Sequence, residues 1–163
     1  MGDTPTGLKL MVITPIDNGL FKIDIPDWQI QIFHNLAEEL QAIISDGNNH
    51  LTSRLFPVAY QSDTSANAEY ESLTHDDLRQ SHLSSLKLLA EISTYSEVSE
   101  KLLIEIMQGI NILRLVLAAR LEIDDEESEN SPQASEDHPD HNLWLIFHLL
   151  GETLSIIIDS INP

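Results

Sequence analysis

The run from Lys101 to Leu121, KLLIEIMQGINILRLVLAARL, is the longest mostly apolar segment in a very acidic chain, and the remainder has to pack around it. At 100° per residue, Leu103, Met107, Ile110, Leu117 and Leu121 fall on one face of a helix, with Lys101, Glu105, Gln108 and Asn111 near the other. Arg114 lands in the apolar face. Its guanidinium cannot be deprotonated, so it must pair with a carboxylate, cover an interface or reach water by snorkelling. The reading adopted is a structural ion pair with a carboxylate between Asp63 and Asp77; contact with an anionic ligand or partner is the alternative. Gly109 in mid-helix costs roughly 1 kcal/mol relative to alanine, which a close approach by another helix can offset, so a crossing is expected there.

The 163 residues suit a single domain. A net charge of −19 repels phosphate backbones and anionic membranes, which leaves basic proteins or cations as the easier partners and disfavours direct nucleic-acid binding. The chain has no cysteine, so disulfides, zinc–thiolate sites and thiol redox sensing are excluded, and a cytoplasmic location is expected. The opening MGDTPTGLKL lacks a basic region followed by an apolar core, so no secretory signal is read there. Leu143 to Ile161 is strongly apolar but carries His148, Glu152 and Asp159, and no membrane span is expected.

Along the chain, Leu8–Ile13 and Leu20–Ile25 flank an Asn18-Gly19 turn and predict an N-terminal β-hairpin lying on the helical body. Asp27 is the expected N-cap of an amphipathic helix ending near Asp46-Gly47, with Trp28, Ile32, Phe33, Leu36, Leu40, Ile43 and Ile44 on its apolar stripe. His34 lies on the polar side and reads as solvated. Arg54 to Tyr60, RLFPVAY, predicts a buried strap. A short helix through Tyr70 to Leu73 follows. Thr74 and Asp77 then resemble a capping box for a helix from His75 to Ile92, with His82 as a hydrogen-bonded inner histidine. Ser96 is the expected cap of the central helix.

From Glu122 to His141 there are nine acidic residues and no Lys or Arg, which predicts a mobile loop. At the last helix, 142–163, the polar residues His141, His148, Glu152, Ser155 and Asp159 fall in a strip about 60° wide. Its remaining surface is more apolar than a two-layer packing normally covers, so a homodimer through this helix is expected, against the alternative of a buried helix in a monomer. The whole is therefore one domain, mainly α: a helical bundle of about four long helices plus a short one, built from a hairpin (1–25), a helical core (27–121), the acidic loop and the C-terminal helix.

Catalytic patterns are missing. The chain has no G-x-S-x-G elbow, no glycine-rich phosphate loop and no H-E-x-x-H. His138, His141 and His148, with nearby acids, could contact a divalent metal, but they lie in or beside a loop without a rigid second shell, and no metal or cofactor is assigned. Asp76 and Asp77 read as helix-start charges. Arg54, Arg79, Arg114 and Arg120 read as structural pairs or partner contacts.

Three stretches carry a family resemblance: Arg54–Tyr60, Leu73–Arg79 (LTHDDLR) and Leu113–Leu121 (LRLVLAARL), followed by a Leu/Trp-rich last helix. The chain resembles an actinobacterial family labelled a domain of unknown function, which includes the oxidative-stress transcription regulator AosR. The resemblance implies a cytoplasmic actinobacterial protein in transcription regulation. Combined with the charge, it suggests a non-enzymatic regulatory or protein-interaction module acting through a protein partner such as the transcription machinery. Direct DNA binding is the alternative, which would need Arg54, Arg79, Lys87, Arg114 and Arg120 to converge on one face; a small-ligand or metal-binding protein comes after it.

Overall fold

The computed structural model describes residues 9–46, 55, 64–123 and 132–163, and the chain is mainly α with a small N-terminal sheet. Strands β1 (Val12–Pro15) and β2 (Leu20–Asp24) form the expected hairpin. A 3-10 turn at Asp17–Gly19 joins them, with Asn18 and Gly19 at φ 66° and 71°, the left-handed conformation that Asn and Gly tolerate best. A third strand, β3 (Glu97–Ser99), was not expected. It pairs antiparallel with β2, setting Val98 opposite Phe21, and the Ile23 N–H donates to the Ser96 carbonyl at 2.9 Å. The hairpin is thereby stitched to the chain just before the central helix.

Helix α1 spans Asp27–Asp46. The Pro26 carbonyl accepts from the N–H groups of Gln29 and Ile30, so Asp27 lies inside the first turn, where its charge complements the macrodipole, and does not act as the N-cap. Helix α2 runs unbroken over Thr64–Ala90 and takes in both the short helix and the longer one expected there. Thr74 is interior to it because the run contains neither Pro nor Gly to interrupt it.

Helix α3 (Glu100–Arg120) is the central one, in contact with α2, with α1 and with α4 (His141–Ile161). Its N-cap is Ser99, whose Oγ accepts from the Leu102 N–H at 3.1 Å; Ser96, the expected cap, precedes β3 and offers its carbonyl to β2 instead. At the other end the Ile123 N–H reaches the Ala118 carbonyl and the Glu122 N–H the Ala119 carbonyl, a Schellman closure that holds Glu122 at φ 57°. Leu121 and Ile123 are buried beneath it.

The core is built from every helix: Phe33 and Ile44 of α1, Leu86 and Leu89 of α2, Leu103, Ile106 and Ile110 of α3, and Leu150 and Ile157 of α4 are all 2% exposed or less. Gly109 marks the crossing of α2 and α3 that its position predicted. A Cβ there would stand 2.9 Å from the Ser85 carbonyl oxygen and 3.4 Å from Leu89 Cβ.

Within the segment expected to be a mobile acidic loop, residues 132–140 are tied down. A 3-10 turn covers Pro132–Ala134, Gln133 Nε2 donates to the Leu121 carbonyl at 2.7 Å, and the His141 ring bonds the Gln133 carbonyl at 2.9 Å. Residues 124–131 and most of the RLFPVAY strap lie outside the described residues; Leu55, which is described, is buried as expected. Helices α3 and α4 are each long and apolar enough to cross a membrane by length and composition alone, yet α3 is the core helix and α4 exposes Glu152 and Asp159.

Two substitutions test these helix contacts. Gly109→Ala gains helix propensity but forces α2 and α3 apart, and is expected to cost a net of about 1 to 3 kcal/mol in urea unfolding. Glu122→Gly relieves the left-handed conformation and is expected to raise stability by about 1 kcal/mol in the same assay.

Candidate functional site

The seam between α3 and α4 holds the least ordinary side chain in the domain. Trp144, Phe147, His148 and Gly151 follow the i, i+3, i+4, i+7 spacing that puts them on one side of α4. Arg114 of α3 lies on that side. Its Cζ stands 4.4 Å from the centroid of the Phe147 ring, a cation–π contact. A Cβ on Gly151 would meet Nε, Nη2 and Cζ of Arg114 at 3.2, 3.2 and 3.3 Å. Those near-equal distances mean that the flat face of the guanidinium rests on the glycine; an edge-on approach would hold Cζ farther away than the two nitrogens. A Cβ at position 151 would require the guanidinium to give way by a few tenths of an ångström.

The aromatic surface continues around Arg114. His148 packs edge-on against Trp144 at 4.3 Å and against Phe147 at 5.5 Å between ring centroids, and His141 stacks on Trp144 at 5.8 Å. Arg114 Nε and Trp144 Nε1 are both covered and have no hydrogen-bond acceptor among the described residues. Covered donors without acceptors are uncommon, because each forfeits its bonds to water.

The expected ion pair between Arg114 and a carboxylate of the Asp63–Asp77 segment is not made by the described residues. Asp76 instead meets Arg79 of its own helix, at 3.8 Å, and with Asp76 two-thirds exposed that contact adds at most about 1 kcal/mol. Arg114 is turned toward α4, onto Phe147 and Gly151. Asp77 is exposed, as is Arg120 in the last turn of α3, where a positive charge suits the macrodipole. Arg54 lies outside the described residues.

The basic side chains expected to converge in a DNA-binding face occupy separate settings. Arg79 is with Asp76. Lys87 lines an open polar trough of about 520 Å³ between α1 and α2, shared with Glu38 and Gln41. Arg120 borders a small apolar cleft of about 100 Å³ between α1 and α3, beside Glu39 and Leu36.

The three histidines singled out for metal chemistry are occupied otherwise. His138 Nδ1 accepts from the Asp140 N–H at 3.0 Å, His141 donates to the Gln133 carbonyl, and His148 is packed in the aromatic seam. Among the described residues no three His, Asp or Glu side chains gather as a metal would require. His82 is the inner histidine expected, its Nε2 bonded to the Leu55 carbonyl at 3.1 Å. His34, read as solvated, is exposed but also ties α1 to the end of α2 through the Ala90 carbonyl at 3.0 Å. A carbonyl can only accept, so the bonding nitrogen of each ring carries the hydrogen.

A buried polar chain was missed altogether. Gln29 and Thr153 are both 0% exposed. The Met11 N–H donates to Gln29 Oε1 at 2.9 Å, Gln29 Nε2 donates to Thr153 Oγ1 at 3.0 Å, and Thr153 Oγ1 donates to the Leu149 carbonyl at 2.9 Å. Sheet, α1 and α4 are locked together by it. The signal was present, because Gln29 falls in helical register with Phe33, Ala37, Leu40 and Ile44, the most buried positions of α1.

Among the described residues, fold and site together define four α-helices with a three-stranded sheet and an aromatic seam that carries an arginine. The chain belongs to the family described as Domain of unknown function (DUF2017), whose model matches residues 17–161 and so includes all three stretches on which the resemblance was drawn. No curated protein and no solved structure matches it.

Because Arg114 is stacked and not ion-paired with a described acid, Arg114→Met, which keeps an apolar chain against Phe147, is expected to change unfolding free energy by less than about 1 kcal/mol. A buried pair would cost about 3 to 5 kcal/mol. Gln29→Leu leaves the Met11 N–H and the Thr153 hydroxyl without Gln29 and is expected to lower stability by about 1 to 3 kcal/mol. The double variant with Thr153→Val should cost less than the sum of the two single changes, as a urea-denaturation cycle would measure.

Proposed function

We propose that the chain is a non-enzymatic regulatory module of the actinobacterial cytoplasm, akin to the oxidative-stress regulator AosR, which acts on transcription by binding a protein of the transcription machinery and pairs with a second copy of itself through α4. The observation that carries this reading is the outer surface of α4. Leu145 and Ile158, each 47% exposed, stand on either side of Glu152, Ser155 and Asp159, and Leu149 and Ile156 on the same helix are only partly buried. A helix of this apolar content with side chains left outside the core is suited to a protein surface. The net charge of −19 favours a protein over bare DNA as the route to a promoter.

The test is direct. Sedimentation of the full chain is expected to report a dimer, and Leu145→Glu combined with Ile158→Glu is expected to give a folded monomer that no longer binds purified RNA polymerase holoenzyme. A monomeric unmodified chain would remove the self-pairing, and no binding to the holoenzyme would remove the proposed partner. A shift of promoter DNA by the chain alone, lost steeply as salt is added, would replace the reading with direct DNA binding.

A further inference from the structure

The geometry points to a carboxylate-binding site at the open end of the Arg114 guanidinium, on the seam between α3 and α4. The site stands whether or not the chain acts on transcription. Its starting point is a mismatch in charge pairing: the chain holds 27 acidic residues against eight Lys and Arg, yet no described acid pairs with Arg114. The cation is instead held flat, with one face on Gly151 and Phe147 close by. This stacking fixes the plane of the fork without using its hydrogen-bonding edges.

Those edges are not equivalent. Nε is covered and has no acceptor, whereas Arg114 as a whole is partly exposed and Nη1 and Nη2 are not among the covered, unbonded atoms. With Nε covered and Arg114 partly exposed, the ligand is placed at the end of the fork that carries Nη1 and Nη2. A second donor, Trp144 Nε1, is also covered and without an acceptor, one turn of α4 away from Phe147 on the same side. Arginine and tryptophan side chains only donate, so a complementary ligand must supply acceptors and negative charge. A planar carboxylate does both and matches the fork with two parallel bonds, which a spherical ion cannot. Nearby aromatic rings suit a flat group. The carboxylate can come from a free aromatic acid or from an Asp or Glu side chain of another protein, and the two sources can be separated by probe.

Sodium benzoate and N-acetyl-glutamate N-methylamide would be titrated separately into the uniformly 15N-labelled full chain, with sodium chloride at matched ionic strength as the control. The signals followed are Arg114 Nε–H and Trp144 Nε1–H, and Trp28 Nε1–H, which donates to the Lys9 carbonyl at 3.1 Å, is the internal reference. Saturable shifts at Arg114 and Trp144 with a midpoint of about 1 to 30 mM, and none at Trp28, are expected. Benzoate at least tenfold tighter assigns the site to free aromatic acids; equal or tighter binding of the glutamate mimic assigns it to protein side chains. Arg114→Lys, which keeps the charge and loses the planar fork, is expected to weaken binding at least tenfold. Shifts that chloride reproduces, shifts that never saturate, or an Arg114→Lys chain that binds as well as the original would overturn the site. Should the lysine variant fail to fold, the comparison with chloride on the unmodified chain decides alone.

Discussion

The crossing of α2 and α3 at Gly109 governs how the other layers are placed. With a bare Cα at that point, α3 comes close enough to α2 for the Ser85 carbonyl to occupy the space of a side chain, and Leu89 closes the contact. The same approach buries Leu86, Leu103, Ile106 and Ile110. With α1 also set against α3, α4 covers the remaining side. Arg114 is then left at the margin of a covered face, where it lies on the helix that arrives last in the chain.

Two polar features of α4 divide the labour between specifying the fold and leaving something open. Thr153 completes a hydrogen-bonded path from Met11 through Gln29, and such a buried network favours one packing over its alternatives. At the seam with α3, Arg114 Nε and Trp144 Nε1 have no acceptor among the described residues. The first arrangement pins α4 to the sheet and to α1. The second leaves unused bonding capacity on the side of the helix that meets α3.

Much of the architecture was legible in the sequence because it rests on local signals. The Asn18-Gly19 turn, the apolar stripe of α1, the crossing glycine and the inner His82 all follow from residue spacing and backbone preference. The unread parts depend on contacts distant in the chain. Glu97–Ser99 is too short to announce itself as a strand, and only pairing with β2 makes it one. Thr74 carries a capping signal that a long uninterrupted helix overrides. Gln133 looks like part of an acidic loop until its amide is found on the Leu121 carbonyl at the C-cap of α3. Arg114 was recognised as an anomaly, but its resolution by stacking needed the position of α4. Periodicity alone places a residue on a face without naming what lies opposite.

The bond between Gln29 and Thr153 joins residues 124 apart in the chain. A nascent polypeptide emerging from the ribosome can form the hairpin and α1 early, but the amide of Gln29 has no hydroxyl to meet until Thr153, 124 residues later, has been synthesised. The third strand imposes a similar delay on the sheet, since β2 lacks its second neighbour until Glu97–Ser99 appears. Closure of this domain is therefore a late event in its own synthesis, with the N-terminal elements waiting for the C-terminal helix.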